Sequence, residues 1–569
     1  MYNQNMGKRN IFIGIFFAFL AVVVTFPAIL HLSDKMIGDM GDGYQFIGFQ
    51  YIAKKLFFAG EFPFGWTSFW RYPYGVDFQN IYDSSLLILF GILFYQITSN
   101  PILVYNLSVF GFIILGLAVS YYSFSFYFRP LVALIGAVLY GLTFMSIARL
   151  GGHINLYLIP SFLLFFTSLH LILKENGSKK SFMRLGMATL LAAFASLQFP
   201  LFILGGLPII GIVTLLFYKQ ESIEFIKLLW SKRVYVLACL ACILSGFWFF
   251  HGNKLIGFVD KTVQMPVAEI TSVPLVNFFV PNVYLRSVLA FITNNTKEWI
   301  EYVTFFGYVE LALLVLVLFS GKVKRAGWYF ITLAFIFFII TLGVQPFLTK
   351  LWPYQYLFPY FPYRGIIEPG RFAALSYLAS IFLILIFISH IKNKIVLFGI
   401  LLLLVFERLP MNFQLSPTQY SSPFISVLKK SPSRAILHLP LYVDWWNGQL
   451  YDMYSVYSDK AMANGYVQWS GNTPQAQTLT KKLEEYTCYY EPEYAPTDFS
   501  YNEAVEKKNF LLTLLKEYDI RTVVINNDLY LSTDHCTRAR QYIDVLFEDA
   551  DRWQTVFDDG DKKVMYLTR

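Results

Sequence analysis

Charge is what this sequence has least of. Only 14% of its 569 residues are Asp, Glu, Lys or Arg, well under the ~25% usual in a soluble domain, which excludes most of the chain from the water-soluble class. The charge is also unevenly placed. Residues 412–569 carry 21 acidic and 16 basic side chains, and that −5 leaves +13 for residues 1–411. The C-terminal stretch thus lacks the basic stripe that nucleic-acid binding needs, and no nucleic-acid partner is expected. Cysteine is scarce too, at four. Cys239 and Cys242 sit inside an apolar block with no second pair, which reads as packing rather than a metal or redox centre. Cys488 and Cys536 could form a disulfide if the C-terminal stretch lies outside the cell, but their spacing alone does not decide it. Internal repeats and low-complexity tracts are missing as well. The first apolar block lacks a small-residue cleavage site and is longer than the apolar region of a signal peptide, so it reads as a retained span.

What the chain has in abundance is apolar residues, 56% of the total, gathered in blocks such as 11–32 and 395–406. A helix needs ~20 mostly apolar residues to cross the hydrocarbon, where only its own backbone can satisfy its hydrogen bonds. Eleven blocks fit: 11–32, 101–127, 131–148, 154–173, 182–198, 200–218, 234–251, 303–320, 326–344, 371–390 and 393–409. Phe fills the blocks, while Tyr and Trp gather at their edges and in the loops, where amphipathic rings favour the interface. Segment 84–98 is apolar but short, with Pro101 close behind. It reads as a helix lying on the outer surface or re-entering. With 84–98 not crossing, one set of short loops carries Lys8 and Arg9, Arg129, Lys174 with Lys179 and Lys180, Lys219 with Lys232 and Arg233, Lys322 with Lys324 and Arg325, and Lys392 with Lys394. Positive-inside bias makes that side cytoplasmic. The expectation is a multi-pass protein of the plasma (inner) membrane with a cytoplasmic N-terminus.

This threading leaves three large outer loops, 33–100, 252–302 and 345–370. Long loops on a rigid scaffold are where binding and chemistry concentrate. In the first, residues 44–58 put Phe46, Phe49, Ala53, Leu56 and Phe57 on one helical face, the pattern of an interfacial amphipathic helix. After Pro410 the composition becomes that of a soluble α/β domain. Strands are expected at 434–440 and 521–525, a helix over 509–516, and a hairpin of 553–557 with 562–566 around the Asp-Asp-Gly-Asp turn at 558–561. The expected fold class is an α-helical polytopic membrane protein of about eleven transmembrane helices over residues 1–410, with a C-terminal extracytoplasmic α/β domain over 411–569.

Directly after the first span comes Gly38-Asp39-Met40-Gly41-Asp42-Gly43. Glycines let a carboxylate approach a bound group closely. A carboxylate here could deprotonate an acceptor hydroxyl, or hold a divalent cation at Asp39 and Asp42. The plain alternative is a turn followed by a helix N-cap. His153, near Arg149, falls at the same outer side and suits a phosphate or sugar, or else a backbone carbonyl. Arg364, Glu368 and Arg371 precede the tenth span. Arginine at that depth is costly unless paired, and its forked donors suit a lipid phosphate, with snorkelling to headgroups as the alternative. Glu310 is a weaker candidate that could simply be interfacial. Trp445, Trp446 and Trp469 could stack on sugar rings or serve as packing.

Five stretches carry a resemblance to a known family: GDMGDGYQ (38–45), RYPYGVDF (71–78), VYNLSVFGFIILGLAVSYY (104–122), RLGGHINLYLIP (149–160) and YRGIIEPGRF (363–372). With them, most of residues 11–410 resembles the GT-C superfamily of membrane glycosyltransferases, in the bacterial and archaeal branch akin to protein mannosyltransferases and aminoarabinose transferases. The resemblance implies transfer of a sugar from a polyprenyl-phosphate-linked donor, with inversion, to a protein, lipid or polysaccharide of the cell envelope at the outer face of the membrane. It also implies that Asp42, or less so Asp39, is the catalytic acidic residue, although the motif departs from a plain Asp-x-Asp or Asp-Glu pair. His153, Arg149, Arg364, Glu368 and Arg371 are then expected to bind substrate. Two other classes stand beside this one. A transporter or flippase of lipid-linked saccharide usually places polar, broken helices at mid-membrane, whereas here the span centres are nearly charge-free. A non-catalytic envelope-assembly protein is the third.

Overall fold

Lipid offers no partner to a backbone N–H or C=O, and the apolar blocks of this chain accordingly fold as helices. The computed structural model describes residues 2–39, 42–78, 83–251, 273–281, 302–320, 323–343, 356–357, 368–410, 413–418, 422–441, 445–464, 484–486, 499–527 and 536–568. Two compact units emerge. The first comprises Met1–His31, Asp83–Leu87 and Asn106–Leu415, and the second Leu32–Tyr82, Ile88–Tyr105 and Ser416–Arg569.

The helices run α1 (Tyr2–Val24), α2 (Asp42–Phe58), α3 (Ser85–Phe94), α4 (Pro101–Phe124), α5 (Pro130–Gly141), α6 (Phe144–Arg149), α7 (Pro160–Lys174) and α8 (Lys179–Ala195). They continue as α9 (Gln198–Phe217), α10 (Lys219–Ser231), α11 (Arg233–His251), α12 (Tyr308–Phe319), α13 (Arg325–Thr341), α14 (Ala373–Ile388) and α15 (Lys394–Glu407). Among the described residues four helical stretches are long and apolar enough to cross a membrane: Pro101–Phe124, Ile154–Lys174, Gln198–Phe217 and Pro369–Ile388. The pair α10 and α11, bent by 78°, makes up to five. The other expected spans correspond to shorter helices. Segment 131–148 is two helices, because the chain breaks at Leu142 and restarts where the Thr143 hydroxyl accepts the Ser146 N–H at 3.1 Å. Helix α3, at ten residues, rises about 15 Å, half the thickness of the hydrocarbon.

That break is closed by a charge cluster buried in the first unit. Arg408 donates from Nε to the Leu142 carbonyl at 2.7 Å and from Nη2 to Glu310 Oε1 at 2.8 Å, with Glu407 Oε2 at 3.6 Å from Nη1. Glu407 Oε1 accepts the backbone N–H groups of Tyr308 and Val309, so a side chain from α15 caps the start of α12. Glu310, read from sequence as a candidate that could be interfacial, is thus an interior partner of Arg408, 1% exposed.

The second unit joins the first outer loop to the C-terminal residues. Its sheet, in chain numbering β5 (Ala435–Leu439), β6 (Ala461–Met462), β7 (Thr522–Asn526), β8 (Trp553–Asp558) and β9 (Lys562–Leu567), has the order β6-β5-β7-β9-β8. The run β6-β5-β7 is parallel and β7-β9-β8 antiparallel. Strands β5 and β7 are buried along their whole length, hence their largely apolar sequences. The expected strands at 434–440 and 521–525 and the expected hairpin are these elements, the hairpin turning at Gly560 with φ +89°. Helices α16 (Pro423–Lys430), α17 (Trp445–Ser458), α18 (Tyr501–Glu517) and α19 (Thr537–Leu546) complete it. Cys536 is disulfide-bonded, and Cys488 lies outside the described residues.

Helix α2 is a correction to the sequence reading. Its pattern suggests an interfacial helix, yet Gln45 and Gln50 are as buried as Phe46 and Phe49, because α2 packs against α17. The approach is tight at Gly48, where a Cβ would lie 2.5 Å from the Trp70 ring and 3.7 Å from Asp452 Cβ. Hydrogen bonds stitch the rest of the loop down: Ser416 Oγ donates to the Gly38 carbonyl at 2.7 Å, Tyr51 Oη to Asp459 at 2.8 Å, and the Tyr72 N–H to the Met462 carbonyl at 2.9 Å.

Two predictions follow from these cores. Arg408→Leu strands Glu310 and Glu407 inside the first unit and should cost about 3–5 kcal/mol, read as a lowered melting midpoint in detergent; Arg408→Leu with Glu310→Leu should recover part of the loss. In the second unit His438 is stacked on Tyr451 and Tyr454, with ring centroids at 4.7 and 5.6 Å, and burial pushes its imidazole down to about 3 from 6.5. Between those values the unfolded chain takes a proton that the folded one refuses, so stability should fall with pH by up to about 1.4 kcal/mol per unit. Hydrogen-exchange protection of β5 and β7 should show that slope, and His438→Phe should flatten it.

Candidate active site

The first unit gathers its polar side chains where α6, α8, α9 and α14 begin or end. Asp83, just before α3, is the centre. Its Oδ2 accepts from Ser196 Oγ at 3.0 Å and from the Asn155 amide, and its Oδ1 accepts the Leu197 N–H at 3.0 Å. Ser196 Oγ also accepts the Gln198 N–H at 3.2 Å. The Gln198 side-chain carbonyl accepts from Arg371, whose Nη1 also lies 3.1 Å from Glu368 Oε2. Two residues before Asn155, His153 Nδ1 is 3.4 Å from Arg149 Nη1. The result is two polar sets in this unit: Arg149 with His153, and a chain from Asn155 through Asp83, Ser196 and Gln198 to Arg371 and Glu368.

Local sequence explains this placement. Arg149 ends the short helix α6, and the glycines that follow turn the chain into His153 and Asn155. Gln198 opens α9, and Arg371 sits in a single 3-10 turn, Pro369–Phe372, at the start of the tenth expected span. Both arginines are buried, Arg149 at 1% and Arg371 at 7% exposure. Guanidinium groups so placed are sustained only by partners, and their forks suit the oxygens of a phosphate.

Of the residues singled out from sequence, the structure pairs Arg149 with His153 and Arg371 with Glu368. Arg364 lies outside the described residues. Asp39 and Asp42 belong to the second unit. There Gly38 takes φ +95°, open to glycine, and Asp42 starts α2, where the helix dipole favours a carboxylate. Asp42 Oδ1 accepts from the buried Gln449 Nε2 at 3.3 Å. Tyr44 beside it, its hydroxyl pushed up to about 12 by burial, stays a neutral donor to the Pro417 carbonyl at 3.0 Å. No group of three or more potential metal ligands occurs among the described residues. The side chains of Trp445 and Trp446, and all of Trp469, lie outside the described set.

Sequence reading missed Asp83, Asn155, Ser196, Gln198 and Gln449. A signal was available for Gln198: it is a lone amide in the apolar stretch 190–217, and a polar group in such a stretch marks a site by default. Asp83 gave less, since Asp-Ser-Ser before an apolar run reads as an ordinary helix start.

No family model matches the chain, and no curated protein does. Solved structures do. The chain is similar to the arabinofuranosyltransferase AftD from Mycobacteria, with a TM-score of 0.53 and 13% identity over 99% of this chain and 40% of that one. A mutant of AftD gives 0.56 and 12% over 99% and 42%. The archaeal oligosaccharyltransferase AglB from Archaeoglobus fulgidus gives 0.45 and 10% over 99% and 75%. The chain therefore spans about 40% of the length of AftD. At these TM-scores AftD shares the fold of this chain, and the resemblance read from the sequence is borne out at the level of the fold.

Asp83→Ala should leave the Asn155 amide, the Ser196 hydroxyl and the Leu197 N–H without their acceptor and cost about 2–3 kcal/mol, with Asp83→Asn milder. An Asp83→Ala protein that melts with the parent would show that these groups are not organised around the carboxylate.

Proposed function

We propose that the chain is a glycosyltransferase that moves a sugar from a polyprenyl-phosphate-linked donor to an acceptor at the outer face of the plasma membrane. One observation carries the reading. The first unit buries two arginines, Arg149 beside His153 and Arg371 between Gln198 and Glu368, at the ends of otherwise apolar helices. A lipid phosphate is an anion that reaches that depth with its own hydrocarbon tail, and planar guanidinium forks match its oxygens. His153 and Glu368 orient the two forks, and Arg364 belongs with them by sequence. The GT-C fold supports sugar transfer as the reaction class.

In the proposed reaction the acceptor hydroxyl attacks the anomeric carbon, and its proton passes to the carboxylate of Asp42, with Asp39 the second choice. The bond from that carbon to the phosphate oxygen breaks. Its electron pair leaves with the oxygen of the polyprenyl phosphate. The Gln449 amide, donating to Asp42, helps orient the carboxylate. No step is routed through a cation. Residues 1–410 are taken as the transferase body and 411–569 as an extracytoplasmic domain. The basic short loops support that sidedness, as does a disulfide at Cys536, which belongs to an oxidising compartment.

Asp42→Asn in purified protein should lower transfer from a lipid-linked sugar by about 10²–10⁴-fold while leaving carrier binding intact. Arg371→Lys should instead weaken binding of the polyprenyl phosphate about tenfold or more, since a point charge replaces a fork. Unchanged turnover in Asp42→Asn removes it as the base, and movement of the lipid-linked sugar across liposomes without transfer replaces this reading with the transporter one.

A further inference from the structure

The first unit contains an apolar crevice of about 520 Å³ that the transfer reading does not use. It runs between α7, α9, α13 and α14 and is floored by α10. Its volume is that of a ligand site, and its walls are carbon apart from His170, Thr214, Glu221, Ser222 and Tyr329, which gather toward the α10 end. At the opposite end a Cβ on Gly206 would lie 2.8 Å from Leu375, and Phe337 stacks on Phe372 at 6.5 Å and 8°. Arg371 is not among the lining residues.

At the open end the setting changes. Helix α10 buries none of its residues and exposes Ile226 and Trp230, so it carries the signature of a helix lying at the boundary of headgroups and acyl chains. Arg325 sits over the Tyr218 ring at 4.6 Å and gives one donor to the Phe217 carbonyl, and Tyr218 meets the crevice-lining Tyr329 at 5.4 Å. Lys174, one helical turn beyond the lining His170, adds a second cation. Glu221 lines the mouth as a carboxylate, and its charge and that of Arg325 both bear on the Tyr218 hydroxyl.

A hydrocarbon slot whose mouth lies at headgroup level, with two cations and one carboxylate, fits one chemical class. We infer that the crevice binds one acyl chain of an ammonium-bearing phospholipid of the phosphatidylethanolamine type, its phosphate at Arg325 and Lys174 and its ammonium at Glu221. The inference is independent of the transfer reading. Neither Arg149 nor Arg371 lines the slot, so its occupant is taken as a resident lipid of the leaflet bordering α10 and not the sugar carrier.

Gly211 supplies the test, because it lines the crevice and a Cβ there meets nothing within 4 Å. Gly211→Leu places a branched side chain in the slot from a position where its Cβ is unhindered, and raises helix propensity. The full chain, incorporated into nanodiscs of phosphatidylethanolamine, phosphatidylglycerol and phosphatidylcholine and then released into mild detergent, is weighed by native mass spectrometry. The parent should retain one phosphatidylethanolamine. Gly211→Leu should lower that retention about tenfold, and the exposed change Glu221→Gln should shift retention toward phosphatidylglycerol. Equal retention by the parent and Gly211→Leu overturns the inference, as does equal retention of all three lipids by the parent. A retained polyprenyl phosphate in place of a phospholipid also overturns it and assigns the slot to the carrier.

Discussion

A charged side chain inside the first unit persists only where the chain supplies its counterpart, and this constraint organises the rest. Arg408 binds Glu310 and the carbonyl freed where α5 breaks from α6, while Glu407 caps α12. Without that set, α6 would have a broken helix end in an apolar surrounding. Arg149 is the last residue of α6. The cluster is remote in sequence from the polar network around Asp83, yet it holds the element that carries one of the site's two arginines. Stability and site geometry in this unit rest on the same rule: desolvated charge has to be closed by partners.

The second unit solves a different problem. A long loop between spans has backbone groups to satisfy and apolar side chains to bury. Here the residues after Ser416 supply both, through the α2–α17 packing and the bond from Ser416 to Gly38. The acidic motif is therefore set in a folded core rather than in a free loop. Its Asp42 is held by an amide, Gln449, from the far end of the chain.

Much of this was legible from residues alone. Helical blocks, the C-terminal strands and the hairpin follow from apolar runs and turn chemistry. The grouping of Arg149 with His153 and of Glu368 with Arg371 follows from helical and turn spacing. What escaped was set by partners distant in sequence. Helix α2 looks amphipathic, and no local rule reveals that Gln45 and Gln50 are both buried or that α17, about 400 residues later, packs against the helix. Arg408 draws no reading of its own, since its partner carbonyl at Leu142 is 266 residues away. Asp83 resembles a helix cap because its three donors come from positions 155, 196 and 197.

The composition of the second unit has a temporal side. Its first pieces, 32–82 and 88–105, leave the ribosome early, and its remainder, from Ser416 onward, leaves last. Between them all of 106–415 has to be inserted. During that interval the face of α2 that α17 will cover has no cover, and Asp42 has no amide to orient it. Maturation of this chain is consequently a late, all-at-once event, and a nascent protein arrested before residue 416 would present the acidic motif without its setting.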